Sequence, residues 1–79
     1  MGARLVFLGR LEYLAGGAER EVEPGPLEAI LAALEPELAI ALLDERVRIA
    51  FNGELLPEPI GIVLSEGDEL AFLPPVSGG

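Results

Sequence analysis

Apolar and polar positions come in short blocks along this chain, and most blocks end at glycine or proline. Leu5-Val6-Phe7-Leu8 is a β-prone run stopped by Gly9, which predicts a strand over residues 4–9. Leu11 and Leu14, three apart and closed by Gly16-Gly17, predict one helical turn over 10–15. Residues 18–23 alternate glutamates against Arg20 and Val22, the pattern of a short charged strand at a sheet edge. After Pro24-Gly25-Pro26, Leu27, Ile30, Leu31 and Leu34 mark one apolar helical stripe, with Pro26 suited to the first helical position. Pro36 either ends this helix or opens a second over 37–43, where Leu38 and Leu42 are four apart.

The second half reads as strands. Residues 46–51 alternate Arg46, Arg48 and Ala50 against Val47, Ile49 and Phe51, as in a half-buried strand. Asn52-Gly53 predicts a tight hairpin, since both residues tolerate positive φ, with the return over 54–56 until Pro57 and Pro59 stop pairing. An apolar connector at 60–64 and the turn Ser65-Glu66-Gly67-Asp68 lead to a last strand, Glu69–Leu73. One helical face must cover one face of the sheet, and the two most apolar strands, first and last, belong at its centre. The order predicts an α+β chain of β-grasp (ubiquitin-like) type: a mixed sheet of about four to five strands covered by one main helix. Residues 1–73 form that domain, and 74–79 an extended tail. Phe7, Val47, Ile49, Leu70 and Phe72 are expected to pack on Leu27, Ile30, Leu31 and Leu34.

Composition narrows the chemistry sharply. The 79 residues hold no Cys, no His and no Lys, while five Arg face 14 carboxylates, for a net charge of −9. A disulfide framework, thiol chemistry and an ordinary zinc site are excluded, as are the usual neutral-pH general base and Schiff-base chemistry. So acidic a chain repels nucleic acid and anionic membranes and suits a basic partner. No apolar stretch approaches the roughly 20 residues of a membrane span and no signal-peptide pattern opens the chain, so a cytoplasmic protein is expected. No carboxylate pair is marked as catalytic, and no metal site is expected.

The tail is the candidate site. Pro74-Pro75 fixes an extended backbone without ladder donors. Val76 is one apolar handle. Ser77, Gly78 and Gly79 make a thin thread that enters a narrow tunnel where a Cβ would clash, and six extended residues reach about 20 Å. The reacting group would then be the terminal carboxylate of Gly79 and not a side chain. On tail composition alone, a frayed end that finishes in glycines is the favoured alternative; the β-grasp order of the preceding strands reverses that preference.

These features resemble the MoaD family, the sulfur-carrying small subunits of molybdopterin synthase, within the MoaD/ThiS superfamily. The resemblance spans all 79 residues. It rests on the first strand and the glycine-closed turn after it, on Glu66-Gly67-Asp68-Glu69-Leu70, and most specifically on Phe72-Leu73-Pro74-Pro75-Val76-Ser77-Gly78-Gly79. Leu73 stands where an aromatic residue is commoner. The resemblance implies that an E1-like adenylyltransferase uses ATP to adenylate Gly79, and that a sulfur donor converts it to a thiocarboxylate. The tail then enters the large catalytic subunit, in a heterotetramer, and gives sulfur to a cyclic pyranopterin phosphate precursor of the molybdenum cofactor. No cofactor is bound by the carrier, which is not an enzyme alone. Two alternatives remain: a sulfur carrier for thiamine or tRNA thiolation, and a β-grasp interaction module that transfers nothing. Binding energy for a glycine thread must come from the body of the domain. Leu8, Leu55 and Leu73, on outward strand positions near the tail, are expected to form an apolar partner interface rimmed by acid.

Overall fold

The computed structural model describes residues 2–75. Chain order is β1 (Ala3–Phe7), α1 (Leu11–Ala15), β2 (Glu19–Val22), β3 (Gly25–Pro26), α2 (Leu27–Ala32), α3 (Pro36–Leu42), β4 (Arg48–Phe51), β5 (Glu54–Leu56), β6 (Val63–Leu64) and β7 (Glu69–Leu73). Five strands form one mixed sheet in the order β2-β1-β7-β4-β5. The two most apolar strands, β1 and β7, lie side by side and parallel near its centre, and the other pairings are antiparallel. The glutamate-rich β2 takes one edge, as its pattern predicts. This is the β-grasp arrangement.

Period-two alternation sets which face is covered. Ala3, Leu5 and Phe7 on β1, Ile49 on β4, and Leu70 and Phe72 on β7 are buried, and they form one cluster with Leu27, Ile30, Leu31, Leu34, Leu38 and Leu42 from the helical layer. Phe7 and Phe72 are direct partners across the parallel pair, their rings stacked at 5.8 Å between centroids and 10° between planes. An aromatic pair of this kind adds about 0.5–1.5 kcal/mol beyond the area it buries.

The helical cover comes in two pieces, for a local reason. A residue before proline is pushed out of the α region, and Glu35, ahead of Pro36, sits at φ −57°, ψ 138°. The apolar stripe of α2 therefore stops, and Pro36 opens α3 at its first turn. The turn α1 is closed by Gly16 at φ 80°, whose N–H donates to Glu12 O at 3.0 Å, and Leu11 is buried. The connector at 60–64 is more than a linker. Ile62 and Leu64 join the core, and β6 pairs antiparallel with β3, Gly25 opposite Leu64 and Pro26 opposite Val63. Strand β4 begins at Arg48, two residues later than the alternation from Arg46 suggests, because Arg46 is drawn into a turn with Asp44.

Candidate functional site

The candidate site is built where β7 ends. Leu73 is paired with Arg48 of β4, and beyond it Pro74 and Pro75 are half-buried. Gly9, where the chain leaves β1, makes this exit possible. It stands at φ +57°, and a Cβ there would lie 2.8 Å from Pro74 Cγ. Glycine is thus required twice, for the left-handed backbone and for the close approach. The sequence shows Gly9 only as the end of a strand; its contact with the tail root depends on the parallel pairing of β1 and β7. Of the tail positions singled out, Val76, Ser77, Gly78 and Gly79 lie outside the described residues.

The sheet face opposite the core is open. Across it run rows fixed by the strand register. Arg4 and Glu69 form one row, joined by an ion pair at 3.4 Å, with Glu19 on Arg4's other side at 3.3 Å. The next row is Val6, Ala71, Ala50 and Leu55. The row nearest the tail holds Leu73 and Arg48, with Leu8 level with Leu73 through its N–H bond to Phe72 O at 3.1 Å. Leu8 is 41% exposed and Leu55 54% exposed, while Leu73 is half-buried. The face therefore changes from charged to apolar toward the tail root. Leu8 and Leu73 are neighbours there, and Leu55 sits one row back, linked to them through Ala50 and Ala71. The border next to Leu73 is not acidic: alternation along β4 turns Arg48 outward, and among the described residues no acid pairs with it.

A cleft of about 750 Å³ adjoins the tail root, lined in part by Arg46, Arg48, Pro57, Pro59, Pro74 and Pro75. Asp44 accepts from the Arg46 side chain at 3.0 and 3.2 Å and from its backbone N–H at 2.8 Å. Those bonds, the side-chain one first, hold the Asp44 carboxyl down to about 2. Arg46 is thereby engaged, while Arg48 lies on the opposite, outward face of β4. On the far side of the sheet, Asn52 and Asp68 join two turns. Asn52 has φ 51° and Gly53 φ 86°, the geometry of the tight hairpin. Asn52 Oδ1 accepts from Glu69 N–H at 2.8 Å and its Nδ2 donates to Asp68 Oδ1 at 3.1 Å.

Among the described residues, no group of three or more Cys, His, Asp or Glu is placed to hold a metal ion, and no helix is long and apolar enough to cross a membrane. No buried polar side-chain atom among them lacks a partner. The described body presents an open sheet face and, at one end of it, the root of the tail.

The fold and its exit define a small ubiquitin-like domain of β-grasp type. Residues 5–79 match the ThiS family, and the chain belongs to that family, within the MoaD/ThiS superfamily. Its structure resembles small archaeal modifier protein 1 from Methanosarcina acetivorans, with 26% identity, a TM-score of 0.77, and coverage of 98% of this chain and 95% of the other. The same modifier from Haloferax volcanii is 26% identical at a TM-score of 0.74, with 98% of each chain covered. A chain in the complex of subunits 1 and 2 of the molybdopterin-converting factor from Helicobacter pylori is 26% identical over the whole of both chains, with a TM-score of 0.67. No curated protein matches the sequence.

Proposed function

We propose that this chain is the sulfur-carrier small subunit of a cytoplasmic molybdopterin synthase. The observation that carries the reading is the exit itself: a central strand of a β-grasp sheet runs directly into Pro74-Pro75, held against Gly9, and on into Val76-Ser77-Gly78-Gly79. The likeness to a chain of the two-subunit molybdopterin-converting factor supports a large catalytic subunit as partner, with two carriers flanking a large-subunit dimer.

The chemistry falls on the carboxylate of Gly79. One of its oxygens attacks the α-phosphorus of ATP on an E1-like adenylyltransferase, forming the acyl-adenylate and releasing pyrophosphate. Sulfide-level sulfur from a donor then attacks the acyl carbon, displaces AMP and leaves a thiocarboxylate. In the large subunit two thiocarboxylated carriers each give one sulfur to the cyclic pyranopterin phosphate precursor, and water restores each carboxylate by hydrolysing the acyl–sulfur bond. The carrier contributes no catalytic side chain; Pro74 and Pro75 stiffen the start of the thread, and the open sheet face binds the partner.

A second reading is favoured by the likeness to the small archaeal modifier proteins: the same activated terminus is passed to another protein or another thiolation pathway. A transfer assay separates the two. Thiocarboxylated chain, a large synthase subunit and the pterin precursor should yield the dithiolene product, and deleting Gly79 should abolish it while leaving the thermal melt unchanged. Full activity from the Gly79-deleted chain overturns both readings. Thiocarboxylate formation without transfer to the precursor leaves the second.

A further inference from the structure

A second groove lies on the helix side of the sheet, away from the tail. It has a volume of about 330 Å³ and runs along β2, lined by Arg20, Val22, Ala29, Ile30, Ala33 and Leu34, with the turn at 23–26 closing one end. Ile30 and Leu34 are buried and form its floor, while Ala29 and Ala33 are exposed and present only methyl groups. Arg20 closes the other end. Its guanidinium donates to Ala15 O and to Glu35 Oε1, both at 2.8 Å, so it is fixed and leaves the groove open. Because β2 is the outermost strand of its sheet, nothing in the sheet order lies beyond it. Phe7 N–H donates to Ala18 O at 2.8 Å, and antiparallel alternation then turns the peptide groups of Glu19 outward. A strand edge beside a shallow apolar groove is the geometry of strand addition, in which backbone bonds give affinity and the groove reads alternate side chains.

We propose that this edge and groove bind an extended segment of a partner protein in which small β-branched residues alternate with Lys or Arg. The alternation follows from register. Side chains of an added strand level with Arg20 and Val22 point to the helix side, into the methyl-lined groove, where Val or Ile fits. Their neighbours fall on the other face beside Glu19, Glu21 and Glu23, and cross-strand pairs of opposite charge are the favourable ones. The two arginines of this region are committed, Arg4 to Glu19 and Glu69 and Arg20 to Glu35. The same charge pattern rejects a second copy of this chain, since pairing β2 with β2 sets glutamates against glutamates. Only four residues of edge are offered, so the affinity is on the order of 0.1–1 mM.

Titrating the isotope-labelled full chain with the capped peptide Lys-Val-Lys-Val-Lys, followed by amide shifts, tests this. Shifts should concentrate at 19–23 and 29–34. The scrambled peptide Lys-Lys-Lys-Val-Val, equal in charge, should bind about fivefold or more weakly. Ala29→Gln fills the groove from an exposed helical position; it should weaken the alternating peptide by a similar factor with an unchanged thermal melt. Equal binding of both peptides, shifts centred on the open face around Leu8 and Leu73, an indifferent Ala29→Gln chain, or no binding at 5-fold the stated range (about 5 mM) would each overturn the proposal.

Discussion

A single carboxylate, Asp68, ties the turn before β7 to the hairpin beyond β4. It accepts from Ser65 N–H at 2.8 Å and from Asn52 Nδ2 at 3.1 Å. The backbone bond from Ser65, and then the Asn52 amide, lower its pKa from 3.8. Linkage fixes the sign: a carboxyl whose folded pKa is depressed stabilises the fold at pH values above its unfolded pKa, and that stabilisation is lost as pH falls through the folded value. Asp68→Ala should therefore be less stable than the parent at neutral pH, with a gap that narrows below about pH 4. Removing one charge from a −9 chain eases general repulsion and works against this gap, but exposed charges are screened over about 10 Å, whereas the two bonds are direct. Urea midpoints at pH 7, 4 and 3 measure it, and a gap constant through pH 3 would sink the assignment. Asn52-Gly53 was legible as a hairpin from its backbone preferences. The reach of the Asn52 side chain to Asp68 and Glu69 was not, because β4 and β7 become neighbours only through the sheet order.

Among the elements, β7 carries most. It pairs with β1 on one side and β4 on the other, buries Leu70 and Phe72 completely, and delivers the tail. Alternation along 69–73 was enough to foresee Leu70 and Phe72 as buried, whereas the unbroken apolar run at 5–8 has no such pattern, and its parity turns on the charge of Arg4. The two-residue ladder of β3 with β6 was beyond such reading: no pattern fits in two positions, and Pro26 as a strand residue is tolerated only because it stands at the end of so short a pair. The break between α2 and α3 was half legible, with Pro36 marking it but leaving open whether a second helix follows. Phe72→Ala should cost about 3–5 kcal/mol, since the cavity opens against Phe7 and Ile49, its partners on either side. Chemical denaturation measures it. A chain of near-parental stability would mean that the Phe7–Phe72 stack does not anchor the centre of the sheet.

At the scale of the whole molecule, charge and apolar surface are segregated. The ladder of Arg4 with Glu19 and Glu69 lies at the end of the open face away from the tail, and Leu8 and Leu73 lie beside the exit. The sequence foresaw the three leucines as outward positions but not their arrangement, because rows depend on register, and register was set by the hairpin and by the parallel β1–β7 pair. A glycine thread brings little area of its own, and ordering it costs roughly 1–2 kcal/mol per residue, so on the proposed function affinity for a large subunit would come from the body of the domain, and the open face is where it is expected. Leu73→Asp and Leu8→Asp each place a charge where an apolar contact should form, and each should weaken binding to the large subunit roughly tenfold or more. Neither belongs to the buried core, so both chains should melt as the parent does. The net charge acts on a different quantity: a −9 chain approaching a basic pocket is steered, so the association rate should fall as salt rises, while the Asp variants act mainly through dissociation. Stopped-flow association across a salt series, with calorimetry for each variant, separates the two effects. Affinity unchanged by both substitutions would move the docking face off this side of the sheet, and an association rate indifferent to salt would remove the basic pocket from the partner.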